Sequence, residues 1–84
     1  MSDTVDALLE VTAKAVADYG FRQAVLWSGS EIADQWGLSI AETQVLLGPV
    51  LEALRALPVP VEPADIPAEQ ERIARLVRDA LGGS

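Results

Sequence analysis

Residues 30–47 read SEIADQWGLSIAETQVLL, and this stretch decides the fold. Ser30 is suited to cap a short helix that runs to Trp36, because a short side-chain oxygen accepts an orphan backbone N–H. Gly37 closes that helix, since glycine tolerates the left-handed conformation at a helix end. Ser39 and Glu42 then form an S-x-x-E capping box, the signature of a new helix start. Ile40, Leu47, Val50, Leu51, Leu54 and Leu57 follow at helical spacing and predict one apolar face. Pro49 lies inside this run. It lacks the N–H that would bond the carbonyl of Val45, at a cost of roughly 3 kcal/mol in a regular helix. Either the helix kinks there or it breaks at Gly48 and restarts; one continuous, kinked rod is the favoured expectation.

Working outward, Ser2 or Asp3 is placed to cap a first helix. Val5, Leu8, Leu9, Thr12, Ala15, Val16 and Tyr19 fall within a stripe of roughly 120°, the width of a core-facing surface. Gly20 is the expected end of that helix. Phe21–Trp27 fits a short helix or a strand; a lone strand would have no partner here, so helix is favoured. Ser28-Gly29-Ser30 reads as a turn. Downstream, residues 57–67 carry Pro58, Pro60, Pro63 and Pro67 and predict a stiff extended connector. Asp65 is suited to cap a last helix, with Glu69 and Glu71 near its positive end. Ile73, Leu76, Val77, Ala80 and Leu81 give that helix an apolar face, and Gly82 and Gly83 end it. The expectation is one all-α domain over residues 1–84: a compact bundle of four to five helices, with a proline-rich arm before the C-terminal helix.

The bulk composition narrows function. Half of the 84 residues are apolar, too many for a disordered chain. There is no cysteine, hence no disulfide or thiolate chemistry, and no histidine, the commonest general base and metal ligand. The net charge of −7 repels nucleic acid and anionic membrane. Asp3 and Asp6 stand where a secretory leader carries Lys or Arg. The longest apolar run, Val45 to Leu51, is too short to span a bilayer. Cytoplasm is the expected location.

Ser30 to Leu54 resembles the helix-turn-helix family. Ala33, Gly37 and Leu38 match its small residue, turn glycine and following aliphatic: Ala33 for close crossing, Gly37 for the sharp turn, Leu38 as a core plug. The resemblance implies a trihelical core and places the DNA-reading positions at Ile40, Ala41, Glu42 and Gln44. Gln pairs with adenine and Glu accepts from cytosine. Affinity, however, comes mostly from Lys and Arg on phosphates. Between Gln23 and Leu54 there is no Lys or Arg, and there are four acids: Glu31, Asp34, Glu42 and Glu52. The charge argues against nucleic acid as the partner.

No catalytic constellation appears. Ser28 and Ser30 lack a histidine base, and Glu31 with Asp34 is a bare acid pair. No metal or cofactor is expected, and no enzyme activity. Arg72, Arg75 and Arg78 read as a solvated helix face in which Glu71 pairs with Arg75 and Arg75 with Asp79. The four aromatics, Tyr19, Phe21, Trp27 and Trp36, read first as core anchors, with Trp36 beside Gly37 the better candidate for partial exposure. Opposite the leucine stripe lie Ala41, Val45, Gly48, Glu52 and Ala56, mostly small or aliphatic. Either the C-terminal helix covers this second face, or it meets another molecule. The leading expectation is a small non-catalytic interaction or regulatory module that binds a protein partner or a second copy through Trp36, Ala41, Val45, Gly48 and Glu52. The surrounding acids favour a basic partner. The alternatives are a helix-turn-helix DNA-binding regulator and an acidic inhibitor mimicking nucleic acid.

Overall fold

In the computed structural model, which describes residues 3–58 and 61–82, Asp18 divides the first helical stretch in two. Helix α1 spans Asp3–Ala17 and α2 spans Tyr19–Gln35. Asp18 is extended (φ −125°, ψ 108°), and its side chain accepts the Phe21 N–H at 3.2 Å. Gly20 therefore does not end the first helix. It sits in the first turn of α2, because the Asp18 carboxylate offers a cap that starts a new helix. Leu8, Val11, Thr12, Ala15 and Val16 form the buried stripe of α1. Tyr19, expected on that stripe, belongs to α2 and is 40% exposed. The Thr12 hydroxyl is satisfied by donating to the Leu9 carbonyl at 2.9 Å.

Phe21–Trp27 is helical. Ser28-Gly29-Ser30 is a kink rather than a turn. Ser28 leaves helical geometry (φ −136°, ψ 43°), yet the helix continues to Gln35, so Ser30 starts no helix of its own. The absence of a side chain at Gly29 lets Leu47 settle over it; a Cβ there would stand 2.5 Å from Leu47 Cδ2. The helix closes as expected at Gly37, whose φ is +69°. The Leu38 N–H reaches back to the Ala33 carbonyl at 2.9 Å, satisfying an orphan acceptor.

The Ser39–Glu42 capping box is present in both directions. The Ser39 N–H donates to Glu42 Oε1 at 2.8 Å, and the Glu42 N–H donates to Ser39 Oγ at 3.2 Å. It opens one continuous rod: α3 (Ile40–Val45), a five-residue π turn (Leu46–Val50) and α4 (Leu51–Arg55). Pro49 falls inside the π turn. The wider coil takes in a residue with no N–H to give, and the Leu51 N–H donates back to the Leu46 and Gly48 carbonyls. The rod buries Glu42, Val45, Leu46, Val50, Ala53 and Leu54, with Leu57 following. Ile40 and Leu47, expected on the buried stripe, are 81% and 39% exposed.

Leu57 and Val61 are both buried and anchor the proline arm. Pro63–Asp65 forms a 3₁₀ turn, and α5 (Ile66–Gly82) follows directly. Pro67 lies in the first turn of α5, where its missing N–H is not needed, so the connector is shorter than its prolines suggest. Pro60, Gly83 and Ser2 lie outside the described residues. Ile73 and Val77 are the buried line of α5, Leu76 and Leu81 are half-buried, and Ala80 faces solvent. Gln70 Nε2 donates to the Ala13 carbonyl at 2.9 Å and ties α5 to α1.

The four long elements form a ring. α1 packs on α2, α2 on the rod, the rod on α5, and α5 on α1. The shortest dimension, 19 Å, matches two layers of helices each about 10 Å across. Arg22 is buried, and among the described residues no carboxylate pairs with it. Its Nε donates to the Ala15 carbonyl at 3.1 Å, Nη2 to Val16 at 3.3 Å and Nη1 to Pro58 at 3.1 Å. Two of these acceptors lie in the last turn of α1, where the helix dipole is negative and favours a cation.

Candidate functional site

The residues expected to form a partner surface do not converge. Trp36 is half-buried, and its ring meets Phe21 edge-on with centroids 6.4 Å apart. Val45 is buried in the core, and Gly48 is half-buried. Ala41 and Glu52 are exposed, on either side of that buried stretch. Burial of Val45 removes the middle of the proposed stripe, because the buried line of the rod (Glu42, Val45, Leu46, Val50, Ala53 and Leu54) takes residues from both of the expected faces.

The exposed apolar surface lies elsewhere. The large hydrophobic side chains exposed among the described residues are Trp27 at 83%, Ile40 at 81%, Tyr19 and Leu47. All four belong to α2 or to the rod packed against it. The buried positions of α2 (Arg22, Val25, Gly29, Ile32 and Ala33) recur at helical spacing, and Trp27 lies off that stripe. Its exposure follows from treating Tyr19–Gln35 as one helix. A turn at residues 28–30 breaks the periodicity and hides it.

Trp27 stands at the edge of an open groove of about 290 Å³, lined by Gln23, Leu26, Trp27 and Arg55. Gln23 is held by its own Nε2, which donates to the Tyr19 hydroxyl at 2.8 Å. Tyr19, Gln23, Leu26 and Trp27 succeed one another at helical steps along one side of α2. Arg55 reaches the groove from the last turn of α4 and is exposed. Among the described residues it makes no ion pair. Of the other cations, Arg78 on α5 is likewise exposed and makes no ion pair among the described residues, and the remaining four are engaged. Arg22 is spent on carbonyls, and Lys14 lies 5.0 Å from the centre of the Phe21 ring. Arg72 pairs with Glu69 at 2.6 Å and Arg75 with Glu71 at 3.6 Å. The Glu71–Arg75 pair matches the expectation for a solvated helix face.

The positions assigned to base reading in the helix-turn-helix resemblance separate as well. Ile40, Ala41 and Gln44 are exposed, whereas Glu42 is buried and engaged in the capping box. Among the described residues no group of three or more acids is placed to hold a metal ion, and no helix is long and apolar enough to cross a membrane. No family model matches the chain, and neither the curated proteins nor the solved structures include a match to it.

Proposed function

We infer that the protein is a small non-catalytic interaction module that docks a protein partner on the exposed face of α2 and the rod. The observation that carries this reading is Trp27, a large aromatic left 83% exposed on a well-packed helix. Tryptophan is the residue type most enriched at energetic hot spots, where it gains most by leaving water. Ile40, at the start of the rod that packs on α2, is a second large apolar side chain left 81% exposed. The mode of binding is burial of one amphipathic helix against another. Exposed Glu31, Asp34 and Glu52 favour basic side chains at the rim of the partner.

The DNA-binding alternative has less to support it. No cation lies between Gln23 and Leu54 to meet a phosphate, and Glu42 is already engaged within its own helix turn. The module reading is tested by affinity capture from the native host with the wild-type chain and with a Trp27→Ala, Ile40→Glu variant. A partner retained by the wild type and lost by the folded variant is the expected result. Equal capture by both, or a clear low-salt shift of mixed duplex DNA, would overturn it.

A further inference from the structure

We propose that the groove between α2 and α4 is a socket for a helical peptide segment that presents a bulky apolar side chain and a carboxylate one turn apart. This rests on the interaction-module reading and adds the chemistry of the partner. The apolar side chain would lie on Leu26 and the Trp27 indole; the carboxylate would meet the Arg55 guanidinium. In a chain with thirteen acids and six cations, the groove is lined by one cation and no acid. Its local charge is therefore opposite to that of the molecule. Arg55 has no carboxylate partner among the described residues, so a ligand does not have to displace one. Guanidinium suits this role, since its fork of donors matches a carboxylate in two parallel bonds.

Neighbouring acids set the limits of the specificity. Glu31 follows Trp27 by one turn of α2, and Glu52 precedes Arg55 by one turn of α4; both are exposed. A segment with one acid at the centre and basic residues at its ends satisfies Arg55 and these rim acids together. A uniformly acidic segment is repelled at the ends.

The test is selection from a displayed library of helical peptides with randomised surface positions, against the full chain and an Arg55→Glu variant. Arg55 is exposed, so the variant is expected to fold, which circular dichroism checks. The wild type is expected to enrich peptides carrying Asp or Glu three or four residues from a bulky apolar residue. Changing that acid to Gln, or Arg55 to Glu, is expected to weaken a selected peptide roughly tenfold or more. A Lys in place of the acid is expected to restore binding to the Arg55→Glu variant. Peptides that depend on Trp27 but show no acid preference and ignore Arg55→Glu would overturn the carboxylate assignment and leave the module reading standing. No enriched peptide, or binding indifferent to Trp27→Ala, would overturn both. A dimer in sedimentation that Arg55→Glu dissociates would place a second copy in the groove and overturn the peptide assignment.

Discussion

Arg22 Nη1 donates to the carbonyl oxygen of Pro58, 3.1 Å away and 36 residues along the chain. With the bonds to Ala15 and Val16, this makes one side chain the joint between the end of α1, the start of α2 and the entry to the proline arm. Replacing Arg22 by Met keeps much of the apolar stem and removes every donor, leaving the Ala15 and Val16 carbonyls without this buried partner. The expected loss is roughly 3 kcal/mol or more, read as a lower urea midpoint. Arg22→Lys has the charge but not the fork and is expected to fall between the two. A Met variant as stable as the wild type would remove Arg22 from any structural role.

Gly37 and Gly48 make a controlled pair. A Cβ at either position meets no atom within 4 Å, so packing does not enter. Gly37 has a φ of +69°, and Gly37→Ala is expected to destabilise by about 1 kcal/mol. Gly48 lies within a helical rod without positive φ, and Gly48→Ala is expected to stabilise by about 0.5–1 kcal/mol. Thermal midpoints moving in opposite directions are the check.

The capping box predicts a graded response. Ser39→Ala removes the acceptor for the Glu42 N–H and is expected to cost about 1 kcal/mol; Ser39→Asp retains an acceptor and is expected to be close to neutral. Urea unfolding of the two variants in parallel measures the difference.

The two tryptophans are expected to respond differently to solvent. With Trp36→Phe, the remaining Trp27 is expected to emit at long wavelength and to be strongly quenched by iodide. With Trp27→Phe, the remaining Trp36, edge-on to Phe21, is expected to be quenched less. Trp27→Ala is expected to change stability by no more than about 0.5 kcal/mol, as for a surface position without structural contacts. Reversed quenching would remove Trp27 as the anchor of the proposed surface.

The all-helical fold was legible in the residues because its boundaries are written in local chemistry. Ser39 with Glu42, and Gly37 with its left-handed turn, act within a few residues of themselves. Gly20 misled because two end signals compete there, and the Asp18 carboxylate outweighs a glycine two positions later. The surface was far less legible. Whether Val45 or Leu47 faces the core depends on the π turn at Pro49 and on Gly29 across the helix pair, neither of which periodicity contains. Arg22 was invisible for the same reason. Nothing near it in sequence announces that Pro58 will be its acceptor.

The packing of α1 on α5 has a consequence for how the chain comes to be folded at all. Synthesis delivers Leu8, Val11 and Ala15 before Ile73 and Val77, which lie on a helix that packs on α1. Until that helix is made, the apolar stripe of α1 lacks one of the helices that cover it, and a chain interrupted before residue 66 is expected to leave it open to water.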